Sequence, residues 1–274
     1  MGVIKMKKNI GFIGCGNMAK AMIGGMVTSK LYAPESIVVS NPSNSSLQYI
    51  NDKFDVKTTN DNAMVADFAD VLILSVKPNK FESVIDEIKN LVKENTIIVS
   101  IAAGLSIETI KNYFNKEVKI VRIMPNTPAM VGEGMSALCS NNNVNKDDMA
   151  LVEEIFNAFG KVEVVEEKLM DAVTGVSGSS PAFVYMFIEA LADGAVLQGL
   201  PRDKAYKMAA QAVLGSAKMV LETGKHPAQL KDEVCSPAGT TIESVYSLEK
   251  NNFRGSIIEA VKVCTEKSKA MGKK

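Results

Sequence analysis

Along the first 166 residues, short continuous apolar runs alternate with longer stretches of mixed polarity. The runs at residues 9–14, 37–40, 56–58, 71–76, 97–101 and 118–123 are rich in Val and Ile. Such runs predict strands of a parallel sheet covered on both faces. Between them, helical periodicity predicts helices over 17–29, 43–51, 80–92 and 106–114. Two further strands, 135–139 and 162–165, flank a helix over 146–159 that Gly160 ends. This alternation is the βαβ pattern of a doubly wound sheet. After Lys168 the strand pattern stops. Ser179 and Ser180 followed by Pro181 make a helix start, and that helix runs to about Gln198. Helices over 202–222, 227–234, 242–250 and 254–271 follow. The chain therefore reads as α/β: a Rossmann-type doubly wound sheet over 1–166, then an all-helical domain over 167–274. Apolar residues of the 180–198 helix (Phe183, Val184, Met186, Phe187, Ile188, Leu191, Val196, Leu197) cover more than one face. Either neighbouring helices of the same chain or a second subunit must bury them.

Composition narrows the classes. At 274 residues the chain can bury two cores. Lys+Arg and Asp+Glu are 31 each, so neither nucleic acid nor a membrane surface is an expected partner. The most apolar window, 182–200, contains Glu189 and Asp193 and reads as a buried helix, not a span. The basic start (Lys5, Lys7, Lys8) runs straight into the first strand with no cleavage region, so no secretory signal is expected. Met6 is an alternative start, which would make residues 1–5 an extension. Cys15, Cys139, Cys235 and Cys264 are scattered, without C-x-x-C, and read as thiols of a cytoplasmic protein. No metal is expected.

Candidate chemistry begins at the first strand–helix turn, where Gly14, Gly16 and Ala19 form G-x-G-x-x-A. The first glycine permits a tight turn, the second admits a pyrophosphate to the backbone, and the small Ala19 lets helix pack on strand. The helix from Asn17 points its free N–H groups and positive dipole end at the phosphates. A plain βα turn would carry the same residues, so the rest of the chain must decide. The second strand ends in Ser40-Asn41-Pro42-Ser43. An Asp or Glu there would bond the 2′-hydroxyl of NAD. Its absence favours NADP(H), and Ser40→Asp is expected to shift preference towards NADH. Two later junctions, Ser75-Val76-Lys77-Pro78 and Ser100-Ile101-Ala102-Ala103-Gly104, fall at the carboxyl edge of the sheet. Lys77 is either a surface lysine or a cofactor contact. Asn62, on pattern alone, is a loop asparagine passing the adenine side.

Three stretches concentrate turn and polar residues: Arg122–Pro128, Thr174–Pro181 and Cys235–Thr241. The last, Cys-Ser-Pro-Ala-Gly-Thr-Thr, opens a helix with free N–H groups and three hydroxyls. It is sized for a carboxylate, although an ordinary capped helix start has the same form.

With these motifs assembled, the chain resembles the pyrroline-5-carboxylate reductases, which make proline. The resemblance rests on G-F-I-G-C-G-N-M, V-K-P at 76–78, R-I-M-P-N-T-P at 122–128 and T-G-V-S-G-S-S-P-A-F at 174–183. It extends to D-G-A-V-L-Q-G-L-P-R at 193–202 and H-P-A-Q-L-K-D-E-V-C-S-P-A-G-T-T-I at 226–242. Two positions depart from the family pattern: Ala238 stands where glycine is common, and Ser244 where a smaller residue is usual. The resemblance implies a helical C-terminal dimerisation domain, a homodimer unit or larger homo-oligomer, and an active site built partly from the second subunit. It implies NADPH, with NADH as the alternative reductant. Gly14, Cys15, Gly16, Asn17 and Met18 would hold the pyrophosphate, and Ser40 and Asn41 would meet the ribose phosphate. Asn62, Ser75, Val76, Lys77, Pro78, Ala102 and Ala103 would line the rest of the cofactor. Ser236, Gly239, Thr240 and Thr241 would hold the substrate carboxylate, with Thr241 also bonding the ring nitrogen as the catalytic residue.

A cyclic imine accepts hydride once protonated, so no strong general base is needed. The single histidine, His226, precedes Pro227 and lies outside any dyad pattern. A 3-hydroxyacid dehydrogenase of the same two-domain plan would need a lysine acid such as Lys77 with a carboxylate partner, and none is evident. A non-catalytic NADP-sensing module is the other alternative.

Overall fold

The computed structural model describes residues 8–272; Lys5, Met6 and Lys7 lie outside them. Eight strands form one sheet in the order β3-β2-β1-β4-β5-β6-β7-β8. These are β1 (Ile10–Ile13), β2 (Ile37–Ser40), β3 (Lys57–Thr59), β4 (Val71–Leu74), β5 (Ile97–Ser100), β6 (Lys119–Met124), β7 (Gly134–Ser140) and β8 (Gly160–Val164). The first six are parallel. The strand order reverses between β1 and β4, so a crevice opens beyond their carboxyl ends.

The continuous apolar runs are period-two patterns with both phases filled. Ile10 and Phe12 of β1, Val71 and Ile73 of β4, and Ile97 and Val99 of β5 pack into one core cluster. That face is covered by α1 (Asn17–Thr28), α2 (Asn44–Phe54) and α6 (Lys146–Asn157). Ile13, Leu72, Leu74 and Ile98 pack into the other, under α3 (Asn62–Phe68), α4 (Phe81–Ile88) and α5 (Ile107–Phe114). The expected strands and helices form, with one addition and one unforeseen direction. The addition is α3, where the sequence suggests only a loop. Asp61 caps it, its carboxylate accepting from the N–H groups of Ala63 and Met64 at 2.8 and 3.4 Å. The direction is that of β7, which runs antiparallel to β6, with β8 parallel to β7. Asn126 fixes that reversal. It is buried, accepts from Met135 N–H at 2.9 Å and donates to the Ser177 carbonyl at 3.0 Å.

The second half is helical: α7 (Met170–Val173), α8 (Ser180–Leu197), α9 (Arg202–Thr223), α10 (Pro227–Val234), α11 (Thr240–Lys250) and α12 (Phe253–Met271). A π-helical turn, Thr174–Gly178, joins α7 to α8. It is closed by Ser179 N–H to the Thr174 carbonyl at 2.8 Å. The chain divides into two compact units. One runs through Ser179 and takes back the segment from Val263 on; the other is Ser180–Lys262.

The returning segment is tied into the first unit at three places. Ser268 Oγ donates to Asp171 at 2.6 Å, and Cys264 Sγ lies 3.2 Å from Ser179 Oγ. Gly104, with φ of 78°, packs closely on α12: a Cβ there would lie 3.0 Å from Met271 Cβ.

The second unit presents the opposite situation. Its fully buried apolar residues, among those described, are Ala192, Ala205 and Ala209. Met186, Leu197, Met208, Leu221, Tyr246 and Ile258 are exposed. Neighbouring helices of the same chain therefore cover α8 only in part, leaving Tyr185, Met186, Leu191 and Leu197 exposed. Glu167–Leu197 also has the length and apolarity of a membrane-crossing segment.

Arg122 on β6 is buried, and its guanidinium meets Glu167 Oε1 at 3.0 Å. The same oxygen accepts from Ile107 N–H, at the start of α5, at 2.7 Å. One carboxylate thus ties a strand end, a helix start and the entry to the helical half. Glu167→Ala is expected to lower unfolding free energy by about 2 kcal/mol, the cost of stranding a buried charged donor. Urea denaturation at fixed protein concentration measures this. A loss below about 0.5 kcal/mol, within the scatter of surface substitutions, would show that water replaces the carboxylate.

Candidate active site

In the first unit, the expected cofactor residues converge on the crevice between β1 and β4. Gly14 leaves β1 with φ of 102°, and a Cβ there would lie 2.7 Å from the Ser75 carbonyl oxygen. Glycine is therefore required by both conformation and space. Ser75 Oγ donates to the carbonyls of Gly14 and Ile13 at 2.8 and 3.1 Å. Gly14 N–H donates to the Ser40 carbonyl at 2.9 Å, and Cys15 N–H to Asn41 Oδ1 at 3.1 Å. The loop is held from three strand ends. Cys15 is buried, which pushes its thiol pKa up despite the opposing Lys20 charge. Its thiol thus stays protonated.

Gly16 caps α1 in extended conformation without a side-chain bond, and a Cβ there would meet nothing within 4 Å. The first turn, from Asn17 and Met18 on, carries no acidic residue. The first N–H groups of a helix have no intrahelical partner, and here neither a capping side chain nor an acidic residue answers the dipole end, the arrangement that receives a phosphate. A pyrophosphate fits this cradle.

The other residues lie around the same edge. Val76 and Pro78 are half-buried and Lys77 is exposed. Ala102 is buried, Ala103 half-buried, and neither side chain extends beyond a methyl group.

Ser40 departs from expectation. It is fully buried, and its hydroxyl donates to Asn62 Oδ1 at 2.7 Å. It therefore does not present its side chain to a ribose phosphate, and a carboxylate introduced there would be buried against the Asn62 carbonyl. The hydroxyls facing solvent are two and four residues beyond Asn41. Ser43 and Ser45 are exposed at the start of α2, with their oxygens 2.9 Å apart. Ser43 occupies the cap position without bonding the helix. Three serines in the first residues around a helix start, after a strand ending without a carboxylate, were the readable signal.

In the second unit, the stretch after α10 forms a reverse turn, with Gly239 N–H donating to the Ser236 carbonyl at 3.0 Å. Gly239 is the extended cap of α11 and makes no side-chain bond. A Cβ on it would lie 2.2 Å from Ser236 Oγ, so glycine leaves room for that hydroxyl over the helix end. Thr240 is exposed and Thr241 half-buried, the first two residues of α11. Ser236 is also exposed. Ala238 adopts φ of 54°. The glycine common at this position in the family thus meets a left-handed conformation, which an alanine occupies at a cost of about 1 kcal/mol. Ser244 bonds the Thr240 carbonyl at 3.0 Å and leaves the first turn open. His226 caps α10, its Nδ1 accepting from Ala228 N–H at 3.2 Å. The lone histidine is thus a helix cap. Among the described residues, no group of three or more His, Cys, Asp or Glu side chains is placed to hold a metal ion.

The parallel sheet, its glycine turn and the uncapped first helix define a dinucleotide-binding oxidoreductase. A family model described as "NADP oxidoreductase coenzyme F420-dependent" matches residues 9–104. A second, described as "Pyrroline-5-carboxylate reductase dimerisation", matches residues 167–271. Pyrroline-5-carboxylate reductase of Escherichia coli (strain K12) is 49% identical over 98% of this chain and 100% of its own. That of Arabidopsis thaliana is 41% identical over 96% of this chain and 95% of its own. The crystal structure of the Plasmodium falciparum enzyme with NADP bound superposes with a TM-score of 0.88 at 37% identity, covering 97% of this chain and 98% of that one. The chain belongs to the pyrroline-5-carboxylate reductase family. Prephenate dehydrogenase of Aquifex aeolicus, at 17% identity and a TM-score of 0.54, shares the fold alone.

Proposed function

We propose that the chain performs its family's reaction, reduction of 1-pyrroline-5-carboxylate to L-proline with hydride from NAD(P)H, using two anion cradles built in separate units. The observation that carries this reading is the uncapped helix start at Gly239, flanked by the hydroxyls of Ser236, Thr240 and Thr241. It gives a carboxylate backbone and hydroxyl donors together.

NAD(P)H, when bound, supplies the hydride that reaches the imine carbon. Gly16, Asn17 and Met18 hold the pyrophosphate by backbone N–H groups, on the turn that the Gly14 and Cys15 N–H bonds to β2 and its loop keep in place. Asn41, Asn62, Ser75, Val76, Lys77, Pro78, Ala102 and Ala103 line the remaining length, with Ser40 supporting Asn62 from behind. Ser43 and Ser45 complete the preference for a 2′-phosphate over a free hydroxyl, which a carboxylate at the same place would reverse.

Ser236, Gly239, Thr240 and Thr241 bind the substrate carboxylate. The helix dipole contributes about 0.3–1 kcal/mol, up to about 2 when partly buried, so hydrogen bonds supply most of the affinity. Thr241 bonds the ring nitrogen, as donor to the free imine and as acceptor from the iminium. A threonine hydroxyl is too weak an acid to be the proton's source. The proton comes from water or arrives on the substrate, and Thr241 holds it in line.

The apolar helices of the second unit belong against a second copy. Glu189, Asp193 and the π-helical turn interrupt the stretch that would otherwise suit lipid. The four cysteines remain thiols, two of them buried, as suits the cytoplasm.

Purified protein should oxidise NADPH with the cyclic imine and not with a panel of 3-oxo acids; the reverse preference would overturn the reading. Thr241→Ala should lower kcat by about 10²-fold, the scale of a donor acting on developing charge. Unchanged turnover and affinity would remove Thr241 from the site. Ser43→Asp should lower the NADPH-to-NADH ratio of kcat/KM by about tenfold, through repulsion of the phosphate worth about 1.4 kcal/mol. A constant ratio would place the phosphate elsewhere.

A further inference from the structure

Asn62 is the first residue of α3, and its carboxamide is held from two sides. Ser40 Oγ donates to Oδ1 at 2.7 Å, and Nδ2 donates to Glu87 Oε2 at 2.8 Å. The two partners come from different elements: Ser40 ends β2 and Glu87 lies near the end of α4. An asparagine amide can be turned by 180° about its terminal bond with little intrinsic penalty. Here only one orientation satisfies both neighbours. The Ser40 hydroxyl is buried, with the Phe12 carbonyl at 3.5 Å as its other polar neighbour. A carboxylate can only accept, so Glu87 demands the NH₂ side. Once these bonds are made, one N–H and one lone pair of Asn62 remain for a ligand. Glu87 itself is exposed.

We propose that Glu87 is a positioning residue for NADP(H): it sets the face that Asn62 offers and thereby the affinity for the cofactor, without touching it. This rests on the reading of Asn62 as a cofactor contact. A surface carboxylate some 70 residues from the glycine motif thus belongs to the nucleotide site through one hydrogen bond. Its role is orientation: a group that can only accept admits one setting of the Asn62 amide.

The test is the dissociation constant of NADPH, measured by isothermal titration on the intact protein, alongside kcat and KM. Glu87→Ala should weaken NADPH binding about tenfold, the worth of one charge-assisted hydrogen bond. The loss should fall on the dissociation constant and on KM for NADPH, not on kcat. Glu87→Gln, whose amide can turn to suit either setting of Asn62, should recover only part of it. Asn62→Ala should weaken binding at least as much, and adding Glu87→Ala to it should cost nothing further, because the two act as one unit.

The outcomes separate the two claims. If Asn62→Ala leaves the dissociation constant unchanged, Asn62 is not a contact and the reading beneath the proposal fails. If Asn62→Ala weakens binding while Glu87→Ala does not, the proposal alone is overturned. Full recovery in Glu87→Gln would also overturn it, since a group that can turn sets no face, and so would additive loss in the double variant.

Discussion

The nucleotide unit depends on one close approach. Gly14 passes beneath the end of β4 with no space for a side chain, and Ser75 staples the two strand ends together through two carbonyls. This contact sits where the strand order reverses, so it sets the width of the crevice. It also fixes the direction in which the chain leaves β1. The start of α1, and hence its row of free N–H groups, follows from that exit direction. Bonds from Gly14 to Ser40 and from Cys15 to Asn41 then add the third strand end. The shape of the phosphate cradle is therefore a product of sheet packing.

Much of this is legible in the sequence because the physics is local. A strand buried on both faces must be largely apolar, and the runs that become β1 and β4 are so throughout. Gly14 and Gly16 carry their meaning in their spacing. What escapes is what depends on partners distant along the chain. The Asn60-Asp61-Asn62 cluster looks like a loop, yet Asp61 caps a helix that Gly11 admits by leaving room for Val65 and Ala69. Ser40 ends a strand with no polarity contrast between its faces, so nothing nearby reveals which way its hydroxyl points. The direction of β7 rests on Asn126, whose partners Met135 and Ser177 lie 9 and 51 residues away.

The two units differ in how they satisfy their apolar residues. The first buries Phe12, Phe81, Phe114, Phe156 and Phe159 completely. The second, Ser180–Lys262, leaves Met186, Leu197, Leu221 and Ile258 largely uncovered. Surfaces of that character mark association. The sequence alone leaves open whether the chain's own helices cover α8, because periodicity counts apolar faces and not the neighbours available to them.

The return of the C-terminal helix into the first unit has a consequence for biogenesis. Asp171 waits for Ser268, and Gly104 for Met271, across separations of about a hundred residues or more. A nascent chain can complete the sheet on leaving the ribosome, but the edge beside β5 stays open until the last turn of α12 emerges. Contacts of such separation slow folding. The part made first is therefore among the last to be finished, and loss of a few C-terminal residues would be felt at the nucleotide end of the molecule.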